Sequence, residues 1–367
     1  MTEISKIVEK EIVEENVVEI PVAKVHILVE KALDKVCEDV AKSYREYRNY
    51  KQDFIHIMDD VLKESQSIRY IGDRDNANTD SALVATKRSL IYKKLNRELY
   101  QKFFLTKEEV ETIHTGYLYV HDASDRLDTM NCCLFDMETV LKGGFEASNV
   151  FYTEPGSLDT AFDVMNSVIM MAAAQQYGGF TIPEIDKTLA YYAEKSYQKH
   201  YNEYLSMVKN ILEVSQDSMV YHEYYNRADE YAYKKVVREM EQGVQGMELQ
   251  LNTVGSSRGD YPFTTVTFGI GTGRWERLAS STFMKVRKEG QGAPGKKIPV
   301  LFPKLVFLYD ENLHGPGKEL EWLYDEAIDC SSKAMYPDFL SMNNGYVGEV
   351  YQKYGRVISP MRMSCLS

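Results

Sequence analysis

Long apolar runs are missing from this 367-residue sequence. A membrane-spanning helix needs roughly 20 consecutive apolar residues, and the best candidate, VIMMAAA at 168–174, is far shorter. The opening stretch, MTEISKIVEKEIVEEN, has no basic segment followed by an apolar one. No secretory signal is read there, and the cytosol is the expected compartment. Cysteine is scarce, with Cys37, Cys132, Cys133, Cys330 and Cys365 the full set. An odd number in a long chain without a signal argues against a disulfide framework. No C-x-x-C pair occurs and no histidine stands at zinc-finger spacing from a cysteine pair, so no metal site is expected. Positive charge is also short. Lys and Arg number 43 against 55 Asp and Glu, a net charge of −12. That balance argues against nucleic acid as the main partner, because phosphate binding needs clustered cations.

What is present is globular: 44% hydrophobic and 27% charged residues. At roughly 150 residues per domain the length predicts about two domains, or one large domain with an appendage. Residues 1 to 50 read as helical, with Val22, Val25, Val29, Ala32 and Val36 on one face. Residues 50 to 115 read as helical too, broken by the polar GDRDNANTD at 72–80. GYLYVHDA at 116–123 reads as a short strand. The clearest helix lies between Gly156-Ser157, a predicted N-cap, and Gly178-Gly179. It is apolar nearly all round, which places it in a core or a subunit interface. Long Tyr-, Glu- and Lys-rich helices follow over 185–250.

The pattern then changes. In PFTTVTFGIG at 262–271, Val266, Phe268 and Ile270 alternate with Thr265 and Thr267, the signature of a strand with one oily and one small polar face. Such a polar face suits a barrel interior that holds a polar ligand; the alternative is ordinary packing with the threonines in solvent. IPVLFPKLVFLY at 298–309 reads as a second strand region interrupted by Pro303, residues 318–335 as a helix, and 356–364 as extended. The fold class is α/β. Gly255, Ser256, Ser257 and Gly259 could offer backbone N–H groups to phosphates. The G-K-[ST] ending of a Walker A loop is missing there.

Six stretches carry a resemblance. YLYVHDASDRLDTMNCCLFD (117–136), AAAQQYGGFTIPEID (172–186), LNTVGSSRGDYPFTTVTFGIGT (251–272), PVLFPKLVF (299–307), CSSKAMYPD (330–338) and ISPMRMSC (358–365) resemble, in order and spacing, the anaerobic glycyl-radical class of ribonucleoside-triphosphate reductases. The likeness covers about residues 50 to 367. ENVVEIPVAKVHILVEKALDKVCEDVAKSYREYRNYK resembles the second half of an ATP-cone, without the cone's opening phosphate-binding strands. The implied organisation is a truncated cone-like helical segment over 1–50. The N-terminal portion of a ten-stranded α/β barrel follows over 51–367.

The resemblance also implies a chemistry. In this class a glycyl radical, installed by a radical-SAM activating enzyme, oxidises a cysteine. The resulting thiyl removes the ribose 3′-hydrogen, water leaves C2′, and formate supplies the reducing equivalents. Cys365, in the Met363-Ser364-Cys365 that matches the family's P-M-G-C-R, is the implied thiyl residue, although Leu366 replaces the family's Arg. Asn131-Cys132 matches an Asn-Cys pair on the first barrel strand that faces the ribose, and Cys133 would then point away. His121 and Asp122 match the family's Y-H-D. Asn131, His121, Ser256, Ser257, Thr265 and Thr267 are the expected substrate-binding residues, and Cys365 and Cys132 the catalytic ones. A ribonucleoside triphosphate substrate, ATP and dNTP effectors, and a homodimer formed through the helices at 157–177 and from 184 are implied.

The later barrel strands, a four-cysteine zinc site and the R-x-C-G-Y radical motif are expected outside this sequence, so that a complementing C-terminal polypeptide is implied for turnover. A catalytically silent dNTP-binding regulator is the alternative. A formate-lyase type of glycyl-radical barrel, which carries adjacent cysteines like Cys132-Cys133, is a third. The N-C-x-L-x-D context and the cone-like segment favour the reductase.

Overall fold

The computed structural model describes every residue except 1, 15–18, 71–83, 121–122, 126–131, 148, 177, 213–218, 254–260 and 358–367. The chain divides into two compact units, Met1–Ile71 with Leu90–Ser124, and Gly72–Ser89 with Asp125–Ser367.

The first unit is helical: α1 (Thr2–Glu14), α2 (Val22–Val36), α3 (Glu38–Tyr70), most of α4 (Val84–Phe104) and α5 (Lys107–His114). Val8, Leu28 and Ala32 form a small core with Ile4, Ile7, Ile12 and Val29. Val22 and Val36, expected on that face, are 71% and 49% exposed. Val22 and Val36 are the first and last residues of α2, beyond the central Leu28, Ala32 and Leu33 that the helix buries. Thr106 and Glu109 close a reciprocal capping box at the start of α5.

The strand expected at 116–123 is not formed over residues 116–120. Gly116 adopts φ +81, and its N–H and that of Tyr117 bond back to Ile113 and Thr112. This is a Schellman helix terminus. The alternating Tyr117 and Tyr119 that imitate a strand are 90% and 81% exposed.

The second unit contains β1 (Cys133–Leu134), α6 (Met137–Gly143), a hairpin of β2 (Phe145–Ala147) and β3 (Val150–Tyr152), α7 (Leu158–Gln175), β4 (Phe180–Ile182), α8 (Ile185–Leu212), α9 (Met219–Thr253) and β5 (Thr264–Phe268). It continues with α10 (Arg274–Glu289), β6 (Lys304–Tyr309), α11 (Glu311–His314), α12 (Glu321–Ala334), β7 (Asp338–Ser341) and α13 (Gly345–Tyr354). The main sheet runs β1-β4-β5-β6-β7, every pair parallel and in chain order, with only the separate β2–β3 hairpin falling between β1 and β4. The strand order never reverses. With uniformly handed crossovers, that order puts all connecting helices on one side of the sheet, as in a barrel rather than a doubly wound sheet.

The core agrees. Phe180, Ile182, Val266, Phe268, Leu305 and Phe307 project from the strands into one cluster with Phe162, Tyr192, Met240, Phe283 and Leu323 of the helices. Helix α7 is core within its own chain. Its Phe162 lies so near Gly243 of α9 that a Cβ there would sit 2.1 Å from the ring. Ser157 occupies the N-cap position without a side-chain cap bond, because its hydroxyl turns to Asp159 and Thr160; Ser196 of α8 accepts the Leu158 N–H instead, at 2.8 Å.

Two further expectations are corrected. Ile270 does not continue the Val266 and Phe268 face: β5 stops at Phe268, Gly269 adopts φ +123, and Ile270 joins a second cluster with Leu308, Met342 and Val357. The strand expected from Ile298 begins at Lys304, after a cis Phe302-Pro303 bond. Asn252 holds that approach, its side-chain oxygen accepting the Leu301 and Phe302 N–H groups and its amide donating to the Phe302 carbonyl at 2.6 Å. A fully buried ion pair, Arg287 with Glu248 at 2.7 Å, braces the same region through an Arg287 bond to the Pro303 carbonyl.

Candidate functional site

Parallel neighbours in register present side chains to the same face. Leu134, Thr181, Thr265 and Lys304 pair in one row across four strands, and Thr267, Val306 and Asp338 in the next. This is the face opposite the helical core. Thr265 and Thr267 thus stand where the alternation places them, yet neither is in solvent: they are 2% and 0% exposed. Thr181 is equally buried, and its hydroxyl makes no hydrogen bond. Lys304, 8% exposed, holds its ammonium 4.6 Å from the Phe263 ring centre. Burial raises the Asp338 carboxyl pKa, while the Lys304 charge opposes the rise.

At the start of β1 the backbone of Gly179 meets both neighbouring cysteines. Its N–H donates to Cys132 Sγ at 3.3 Å and its carbonyl accepts the Cys133 N–H at 3.1 Å. The Cys133 thiol packs on the main core and donates to Gln176 Oε1 at 3.1 Å. Burial raises the Cys133 pKa and the neighbouring Cys132 adds to it; the Gln176 bond pulls the other way. Gln176 is 5% exposed, and its Nε2 has no hydrogen-bond partner.

At the C-terminal ends of the strands, polar contacts run from one turn to the next. The Glu184 N–H, after β4, donates to Thr267 Oγ1 at 2.9 Å. Asp186 takes the Gly269 N–H at 3.0 Å and the Ser280 hydroxyl at 3.2 Å. The Gly269 carbonyl accepts from His314 Nε2 at 2.9 Å, and His314 Nδ1 accepts the Asp310 N–H at 3.0 Å. Asn343, after β7, donates to Asp310 at 3.1 Å. Burial pushes the Asp186 carboxyl up to about 6 and the His314 imidazole below its usual range. The Gly269 carbonyl calls for a hydrogen on Nε2, while Nδ1 lies 3.0 Å from both the N–H and the carbonyl of Asp310.

Beside this belt lies a cavity of about 1170 Å³, whose wall includes Asp136, Glu184, Lys187, Tyr354, Arg356 and Val357. Two Thr139 hydrogen bonds, with a smaller contribution from Arg356, hold the Asp136 carboxyl below its ordinary pKa.

Of the residues expected from sequence, Cys132, Thr265 and Thr267 are placed as above. Cys365, Asn131, His121, Ser256 and Ser257 lie outside the described residues. Glu184, Asp186, Lys304 and His314 were not singled out from sequence. Glu184, Asp186 and Lys304 sit inside quoted stretches, TIPEID and FPKLVF, but no spacing rule marks them because their partners are distant in the chain. Among the described residues, no group of three or more His, Cys, Asp or Glu could hold a metal ion, and no helix is long and apolar enough to cross a membrane.

A parallel α/β sheet laid down strand by strand, with polar groups along the face opposite its helices, defines part of an α/β-barrel protein. The model of the anaerobic ribonucleoside-triphosphate reductase family matches residues 75–365. The chain is 32% identical over 282 residues to the anaerobic ribonucleoside-triphosphate reductase of Enterobacteria phage T4, covering 74% of this chain and 42% of that protein. It is 31% identical over 336 residues to that of Haemophilus influenzae, covering 88% and 44%. A structure of the anaerobic ribonucleotide reductase of Thermotoga maritima superposes with a TM-score of 0.51 at 14% identity, covering 80% of this chain and 50% of that one, a likeness of fold. The chain belongs to the anaerobic ribonucleoside-triphosphate reductase family. It spans less than half the length of these curated relatives.

Proposed function

We propose that this chain forms the substrate-facing first part of an anaerobic ribonucleoside-triphosphate reductase. The observation that supports it most directly is the first strand of the sheet: Cys132 meets the Gly179 N–H just before β1, while the adjacent Cys133 is committed to the core. Only one of the two neighbouring thiols is therefore left for chemistry on the sheet's other side. In this reading Cys365 removes the ribose 3′-hydrogen and Cys132 faces the ribose as hydrogen donor. Asn131, His121, Ser256, Ser257, Thr265 and Thr267 bind the nucleotide. A glycyl radical on sequence outside these residues, installed by a radical-SAM enzyme, supplies the oxidising equivalent, and formate is the reductant. Exclusion of water by the buried barrel face protects the radical from quenching. A dNTP effector and a second copy of the chain meet α7 and α8.

The test is an anaerobic assay of ribonucleoside-triphosphate reduction with formate and the activating enzyme. The reading requires no turnover by these 367 residues alone. It requires turnover when a polypeptide bearing the four-cysteine cluster and R-x-C-G-Y is supplied, and its loss in both Cys132→Ala and Cys365→Ala. Reduction by these residues alone, or a Cys365→Ala complex that still turns over, overturns it. If dNTP binding persists with no turnover in any combination, the chain is a nucleotide-binding regulator.

A further inference from the structure

Glu184 combines features that its place in a turn does not require. Its φ is +49, a region that residues with a Cβ rarely occupy and that glycine enters freely. Strained residues of this kind persist where the surroundings over-determine them, and they concentrate at functional positions. Here the backbone is held on both sides: the N–H by Thr267 Oγ1 at 2.9 Å, and the carbonyl by the Lys187 and Thr188 N–H groups at the start of α8. What glutamate provides and glycine would not is a carboxylate. That side chain is 15% exposed, pairs through Oε1 with the Lys187 ammonium, and accepts the Val357 N–H at Oε2 at 3.4 Å.

Val357 is itself 5% exposed, wedged among Ile270, Leu308 and Met342. It follows the left-handed Gly355 that ends α13, and it precedes Cys365 by eight residues. Its side chain is therefore fixed by an apolar cluster from β6 and the turns after β5 and β7. Its backbone is fixed by a carboxylate from the turn after β4.

We infer that Glu184 is a positioning residue, anchoring the root of the segment that leads to Cys365. The anchor spans the sheet's C-terminal rim and is seated by the candidate substrate residue Thr267. The importance attached to the segment rests on the role proposed above for Cys365. The anchor itself is measured without nucleotide or radical, so a failure of the turnover assay and a failure here are distinguishable.

The experiment is hydrogen exchange at the Val357 amide of the full chain, with urea denaturation alongside, for wild type, Glu184→Gly and Glu184→Gln. Glycine relieves the backbone strain, so the urea midpoint should hold or rise. Exchange at Val357 should nevertheless accelerate threefold or more while the Leu305 to Leu308 amides keep their rates. Glutamine, which retains an acceptor oxygen, should restore protection to within threefold of wild type. Exchange in Glu184→Gly within threefold of wild type overturns the inference. So does a glutamine variant that exchanges as fast as the glycine one.

Discussion

The carboxylate of Asp186 holds the amide of Gly269 at 3.0 Å, joining the first turn of α8 to the end of β5 across 83 residues. Gly269 sits at φ +123, and a Cβ there would lie 3.0 Å from the Phe307 ring, so the position combines a conformation and a space that suit glycine. The contact turns the chain from the Thr267 face of β5 toward the second apolar cluster, and it carries the rim belt on to His314.

Asp186 makes this contact a source of pH dependence. Its folded-state pKa is raised to about 6, above the 3.8 of an unperturbed carboxyl. A raised carboxyl contributes stability that is present below the unfolded value and is lost as pH rises through the folded one. The difference is on the order of 3 kcal/mol for a fully buried group. Wild type should therefore lose stability relative to Asp186→Asn between about pH 4 and pH 7. Urea denaturation of both proteins at the two ends of that window checks this; a constant difference would contradict it.

Two glycines of α9 should respond in opposite directions. Gly243→Ala drives a methyl into the Phe162 ring, where a Cβ would stand 2.1 Å away. It should destabilise by about 1–3 kcal/mol through overpacking. Gly246 has open space around its Cβ position. Gly246→Ala should stabilise by about 0.5–1 kcal/mol through helix propensity. Thermal or urea midpoints measure both, and equal shifts would show that α7 does not pack on α9 as described.

Thiol reactivity should separate the cysteines. Burial raises the Cys133 pKa and pushes Cys330 up to about 11, whereas Cys37 is exposed. The thiolate is the reactive form. With iodoacetamide at about pH 8, Cys37 of the native protein should be labelled before Cys133, and Cys330 after both. Peptide mass spectrometry gives the order. Labelling of Cys330 before Cys37 would mean that the core of α10 and α12 opens readily.

Some of this architecture was legible residue by residue. The apolar helix at 158–175 and the Thr265/Thr267 alternation announce themselves through periodicities of 3.6 and 2, which are local and survive in a linear string. The failures came where local patterns compete. Tyr117 and Tyr119 alternate like a strand, but Gly116 closes a helix terminus there. Ile270 keeps the alternation in sequence, but the positive φ at Gly269 redirects it.

The sequence by itself determined the family, through six ordered stretches, and the α/β class, through hydrophobic period. Both are properties of short windows. Only the tertiary structure decided that Lys304 and Thr181 share a row with Thr265, and that Glu184, Asp186 and His314 tie the strand ends together. Those relationships join residues tens of positions apart. Register and hydrogen bonding between distant strands arise only when the chain closes on itself, and no spacing rule along the chain encodes them.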